Sequence, residues 1–221
     1  EWIGRYAFDT GPSLLTLPAV YRDFFLKTGA LMEDVLTQIP VDPAFDYRFA
    51  DGSNVKFANL SRYQTLQAIT SSFGSEAAAQ WDQIMKRAEA MWDVSREPFI
   101  ESELTSIAAL LKRVTLLRDL VVIAPFKSLR EIATEKLTDR RLRYIVDRYA
   151  TYSGSDPRKA PAVLLSIAFV EEAFGAWHLA GGIGQLSVAI ENRCLDLGVK
   201  IHLNSPVAKI QTVNGVATGI A

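Results

Sequence analysis

Phe8-Asp9-Thr10-Gly11-Pro12-Ser13-Leu14-Leu15-Thr16 lies near the start of the chain, and Gly175-Ala176-Trp177-His178-Leu179-Ala180-Gly181-Gly182 near its end. Between them they frame almost everything else. Tyr6-Ala7-Phe8 reads as a short strand running into a turn at Gly11-Pro12. A helix is expected next, with Thr16 as its cap, Pro18 in its first turn and Gly29 closing it. After the second stretch, Gly181-Gly182 opens a helix to Leu197 with Gly198 at the position just past its end.

The sequence between the two frames is mostly helical in pattern. Leu31 to Gln38 is expected as a short helix stopped before Pro40. Phe45 to Phe49 and Asn54 to Phe57 alternate apolar and polar residues around Asp51-Gly52, a strong hairpin signal. Ser61 and Gln64 have capping-box spacing, and the helix they begin ends near Phe73-Gly74. Ser75 caps a longer helix in which Trp81, Ile84, Met85, Ala88 and Trp92 recur at helical spacing. That stripe reads as core, the ordinary meaning of apolar residues on one helix face. Leu104 to Val122 is a further helical stretch, Ser128 and Glu131 form a second capping box, and Thr138 caps a helix to Tyr149. Pro161 begins one more helix. Val199 to Leu203 and Val207 to Ile210 read as strands, and Asn214-Gly215 turns into Val216 to Ile220. Strand and hairpin, then a long helical run, then helix and strands make an α+β protein rather than a regular alternation.

Composition limits the function classes. The chain has 221 residues, of which 49% are hydrophobic and 22% charged, with a net charge of −1. This is ample apolar mass for a core, without the basic excess of a nucleic-acid binder. Cys194 stands alone, so there is no internal disulfide framework, and it reads as a buried, inert thiol. Charges at Lys112, Arg113, Arg118 and Asp119 interrupt the most apolar run, which argues against a spanning helix. Glu1 to Tyr6 does not have the form of a signal peptide.

Few residues announce chemistry. His178 and His202 lie in different elements without partners at metal-ligand spacing, so both read as structural and no metal site is assigned. Gly181-Gly182-Ile183-Gly184 invites a phosphate-loop reading that fails on three grounds. Ser187 stands where glycine or alanine is needed, Glu172 to Ala180 is not a buried hydrophobic strand, and no acidic residue follows Val199 to Leu203. A sharp turn that lets another backbone or a flat ligand approach closely is the better reading. Arg140, Arg141, Arg143 and Arg148 put four positive charges on one helix opposite Leu142, Ile145, Val146 and Tyr149. A solvated face is the default there, and contact with anionic lipid is the sharper alternative.

Six segments in order resemble the bacterial-type phytoene desaturases and related carotenoid oxidoreductases of the flavin amine-oxidase superfamily. They are Phe8 to Leu15, Tyr47 to Gly52, Phe73 to Ala77, Tyr149 to Ala162, Glu171 to Gly182, and Gly198 to Ile210. Leu17 and His178-Leu179-Ala180 depart from the family pattern, which leaves the particular substrate open. The resemblance implies an FAD-dependent oxidoreductase acting on a carotenoid or related isoprenoid lipid by hydride transfer to flavin. It implies that Asp9, Gly11 and Pro12 lie near the flavin ring, that Gly181 and Gly182 begin the helix returning to the flavin domain, and that Val207 offers its backbone to the adenine end of FAD. On this reading residues 1–18 lead from the flavin domain, 19–180 form a mainly helical substrate domain with a small sheet, and 181–221 return to an FAD-binding α/β domain. The chain then looks like the middle of a flavoenzyme, without the GxGxxG segment, and by itself is expected to be inactive. A cytoplasmic location is implied, with peripheral contact at the inner face of the cell membrane. No catalytic acid or base is assigned. Two other readings stand beside this one: a superfamily enzyme acting on an amine or retinoid, and a non-catalytic lipid- or membrane-binding helical module.

Overall fold

A computed structural model describes residues 2–103 and 115–221. The protein is α+β, and among the described residues helices outweigh four separate two-stranded antiparallel sheets. A small hairpin, β1 (Trp2–Ile3) and β2 (Tyr6–Ala7), leads to α1 (Pro18–Lys27). Then come β3 (Gln38–Pro40), β4 (Phe45–Arg48), β5 (Asn54–Phe57), α2 (Arg62–Phe73) and α3 (Ser75–Arg96). The second half holds α4 (Leu116–Ile123), α5 (Leu129–Lys136), α6 (Arg140–Asp147) and α7 (Ser166–Phe174). It closes with β6 (Trp177–Leu179), α8 (Gly184–Asp196), β7 (Ile210–Val213) and β8 (Val216–Ile220).

Two hydrophobic cores form. The larger one is organised by α3, whose Trp81, Ile84, Met85, Ala88 and Met91 are buried in a cluster shared with α2, α5, α6, α7 and the β4–β5 hairpin. Trp81 meets Phe57 edge-on at 5.1 Å between centroids, a geometry favoured by the ring quadrupoles. The smaller core joins Leu15, Phe25, Met32, Leu36, Leu179, Leu186 and Ala189. It draws on both ends of the chain, so it exists only when the two framing stretches meet.

Local signals place most of the elements. The hairpin predicted around Asp51-Gly52 is β4–β5, with Phe45 opposite Phe57 and Tyr47 opposite Val55. Ser128 and Glu131 make both halves of a capping box at α5. Gly29 and Gly198 end α1 and α8 with positive φ, and the bonds Ala30 N–H to Phe25 and Val199 N–H to Cys194 complete both helix ends. Asn214-Gly215 turns between β7 and β8 with both residues at positive φ.

Several expectations are corrected. Thr16 does not cap α1; Leu17 takes the cap position in a left-handed conformation ahead of Pro18. Leu31 to Gln38 is not a helix but a 3-10 turn at Met32–Asp34 followed by β3. β3 finds a partner in β6, so Trp177–Leu179 is a strand after all, one that local pattern underestimates at three residues. Gly74, not Ser75, precedes α3, and Asp139, not Thr138, caps α6 through the Arg141 N–H. Residues 199–203 form no strand, since alternation makes a strand only where a neighbour completes the ladder. Of the helix expected over Leu104 to Val122, residues 104–114 lie outside the described residues, and α4 covers the rest.

The apolar side of the basic helix α6 faces inward. Leu142, Ile145 and Val146 are buried in the larger core. Arg141 pairs with Asp139, Arg143 bonds the carbonyls of Leu137 and Thr138, and Arg148 turns inward. Among the described residues no helix is long and apolar enough to cross a membrane.

Because Trp81 is a large, fully buried side chain at the centre of the larger core, Trp81→Ala is expected to cost about 3–5 kcal/mol. Chemical denaturation followed by circular dichroism measures this.

Candidate functional site

The two framing stretches are brought together. Leu15 and Trp177 exchange backbone hydrogen bonds in both directions, at 2.8 and 2.9 Å. β3 pairs with the same β6 residues from the other side, with Gln38 opposite Leu179 and Ile39 opposite His178. Beyond β6, Gly181 and Gly182 take positive φ and turn the chain into α8. There the carboxylate of Asp9 accepts from the N–H groups of Ile183 (2.9 Å) and Gly184 (3.0 Å). A helix N-terminus presents unpaired donors and a positive dipole end, so an anionic cap is favoured. Here that cap comes from 174 residues away in sequence. A Cβ on Gly182 would lie 2.6 Å from Asp9 Oδ2. Glycine suits this position on two counts: its φ is positive, and the Asp9 carboxylate leaves no room for a side chain.

A second clamp holds the two cores against each other. The Asn59 side-chain amide accepts from the Ala176 N–H (2.9 Å) and donates to the Ala176 carbonyl (3.0 Å). Gly175 has positive φ, and a Cβ on it would lie 2.8 Å from Asn59 Oδ1 and 2.9 Å from Leu60. The paired amide therefore needs glycine in the facing chain.

Between the cores lies a cavity of about 830 Å³, within the size range of small-molecule sites. One wall is Gly11 to Thr16 with Ile183 and Leu186, and the other includes Phe45, Tyr152 and Glu171. Glu171, on α7, is 6% exposed. It is the one carboxylate among the described lining residues. Oε2 accepts from Arg148 Nη2 (2.6 Å) and Tyr149 Oη (3.0 Å). Oε1 accepts from Tyr152 Oη, with Arg148 Nη1 more distant at 3.5 Å. The Arg148 guanidinium also lies over the rings of Phe45 (4.5 Å) and Tyr149 (4.6 Å).

The surrounding groups titrate accordingly. Burial works against the charge of Arg148, yet the nearby phenol oxygens and Glu171 outweigh it and hold the guanidinium pKa above its ordinary value. Burial, followed by the charge of Glu171, pushes the Tyr149 phenol well up. Burial and the hydrogen bond to Glu171 do the same for Tyr152. Burial also raises Tyr47, against an opposing pull from Arg148. The cluster is a neutral-phenol, ionised-pair arrangement set into an otherwise largely apolar wall.

Of the residues singled out in the sequence, Asp9, Gly181 and Gly182 meet at the α8 turn, and Gly11 and Pro12 line the cavity beside it. Val207 belongs to a different element, an exposed segment beside the β7–β8 hairpin in which Ala208 bonds Ala221. His178 is half-buried in β6 and His202 is exposed. Cys194 is half-buried on α8 rather than fully buried. The Arg148–Tyr149–Tyr152–Glu171 cluster was not foreseen. Arg148 reads as part of a basic helix and Glu171 only as the first residue of one of the six family-like segments, and no local spacing links them.

No family model matches the chain. Curated proteins that match over nearly its whole length are named as carotenoid desaturases, oxygenases and dehydrogenases, which bears out the resemblance carried by the six segments. A 4,4'-diapolycopene oxygenase of Methylomonas sp is 26% identical over 97% of this chain and 43% of its own length. An all-trans-zeta-carotene desaturase of Myxococcus xanthus is 28% identical over 98% of this chain and 40% of its own length. A phytoene dehydrogenase of Streptomyces griseus is 27% identical over 98% and 42%. The chain thus spans about two fifths of the length of these relatives.

The Asp9 cap predicts that Asp9→Asn lowers stability by about 1 kcal/mol, because a charged cap becomes a neutral one that turns a donor toward one of the two amides. Denaturant melts at low and high salt measure this, the loss shrinking with salt. The raised phenol pKa values of Tyr149 and Tyr152 give a second expectation. A raised tyrosine favours the fold fully below the ordinary phenol pKa of about 10, and this contribution is lost as pH rises through the folded value. An alkaline ultraviolet titration should therefore show these phenols ionising later than free tyrosine, together with unfolding.

Proposed function

We propose that this chain is the substrate-facing portion of an FAD-dependent oxidoreductase that desaturates a carotenoid or related isoprenoid lipid. The observation that carries the reading is the cavity between the cores, with the Gly11-Pro12 turn on one wall and Phe45, Tyr152 and Glu171 on the other. The named relatives support it at the level of carotenoid chemistry.

A polyene hydrocarbon offers no polar handle, so it must be held by apolar surface along its length. Leu14, Leu15, Ile183, Leu186 and Phe45 supply such surface. The residues present fit the ring end of a flavin. Gly11 and Pro12 are exposed on the cavity, and a Cβ on Gly11 would meet nothing within 4 Å, leaving room for a flat ring against the backbone. They do not offer the α8 N-terminus to a diphosphate, because Asp9 occupies its amides. Asp9, Gly181 and Gly182 act by fixing the turn that positions Gly11 and Pro12. On this reading Val207 presents its backbone to the adenine end. A bound flavin supplies hydride acceptance, while the chain orients the polyene and excludes water. We assign residues 1–18 and 181–221 to the flavin domain and 19–180 to the substrate domain.

Peripheral contact with a membrane accompanies this reading, since an isoprenoid lipid must be drawn from a bilayer. The exposed Leu117, Val121 and Phe126 on and after α4 offer apolar surface for it.

The test uses the protein expressed from its complete reading frame. Bound-flavin absorption that bleaches on anaerobic addition of a C30 or C40 polyene is expected. A protein that binds no flavin, or that bleaches with amines and not with polyenes, overturns the reading.

A further inference from the structure

We propose that Glu171 is the proton acceptor of the reaction, with Tyr152 as its route to solvent. The inference rests on the oxidoreductase reading above and deepens it. A hydrocarbon cavity has no need of a carboxylate, and burying one is costly unless it is well paired. This cavity nevertheless places Glu171 in its wall and surrounds it with three donors from one short segment, Arg148, Tyr149 and Tyr152. The Arg148 guanidinium pairs with this carboxylate at 2.6 Å, and a carboxylate is the form a base requires.

The two oxygens differ. Oε2 has two close donors, whereas Oε1 has Tyr152 and only the 3.5 Å approach of Arg148 Nη1. A carboxylate has about four lone-pair directions. Oε1 therefore retains one that is weakly used. Tyr152 is 58% exposed while Tyr149 is buried, so Tyr152 links the buried carboxylate to water.

Two C–H bonds on adjacent carbons of the polyene break. One hydrogen leaves with its electron pair as hydride to a flavin-class acceptor. The electron pair of the other forms the new C=C bond, and its proton passes to Glu171 Oε1, converting carboxylate to carboxylic acid. A carbon next to a centre losing hydride is acidic, so a carboxylate can take its proton. Protonation leaves Arg148 facing a neutral acid, which favours return of the proton through Tyr152 to solvent.

The experiment uses the protein from its complete reading frame, loaded with flavin. In Glu171→Gln, anaerobic bleaching by polyene should slow about 100-fold or more, the usual weight of a general base. Polyene binding to the flavin-free protein, read by tryptophan fluorescence quenching, should change less than about threefold, since no binding contact is lost. Infrared difference spectra on reduction should show a carboxylic-acid carbonyl band in the wild type that is absent in the variant. Because Glu171→Gln strands the charge of Arg148, the double variant Arg148→Met/Glu171→Gln, which removes both charges, serves as the second test and should be equally slow. Either folded variant bleaching at the wild-type rate overturns the inference, as does a wild type without the infrared band. A wild type that does not bleach with any polyene sinks the oxidoreductase reading itself, a distinct result.

Discussion

The carboxylate of Asp9 on the first amides of α8 is the contact from which the rest of the arrangement follows. It joins residues 174 positions apart, and closing so long a loop has an entropic cost that grows only slowly with length. A few hydrogen bonds and a small shared core can therefore hold it. Leu15 and Trp177 bond each other's backbones next to it, β3 adds to β6, and Leu15, Leu179 and Leu186 fill the space between. Once these meet, the cavity has its first wall.

The second wall depends on the α3 core. Trp81 and its neighbours fix α6 and α7, and the Asn59–Ala176 clamp sets that body against the first. Gly175 and Gly182 mark the two points of closest approach. One admits an amide and the other a carboxylate, and in both a Cβ would fall inside normal contact distance. The Glu171 cluster sits where the bodies face each other. Its ionised pair is sustained by mutual hydrogen bonds in a place where water is largely displaced, and such a pair is costly to break from one side.

Much of the fold was legible because it rests on short-range rules. Ser128 and Glu131, Asp51-Gly52, Gly29, Gly198 and Asn214-Gly215 each act within a few residues, through caps and turns that hardly depend on tertiary context. The elements misread are those whose identity depends on a partner. β3 and β6 are three-residue strands that exist because each supplies the other's ladder. Residues 199–203 alternate as a strand would, but no neighbour completes them. The buried face of α6 has the same sequence as an amphipathic surface helix, and only its packing distinguishes the two.

For the site, the sequence by itself determined the turn-forming residues Gly11, Pro12, Gly181 and Gly182, whose backbone freedom or rigidity is a local property. It also determined the α+β order, through periodicity. Tertiary structure alone decided that Asp9 caps α8 and that Arg148, Tyr152 and Glu171 form one cluster in a cavity wall. The reason is physical. A turn or a cap is set by the conformational limits of a few adjacent residues. A buried charge pair between α7 and the segment after α6 is set by where two helices pack, and nothing in the spacing of Arg148 and Glu171 encodes that distance.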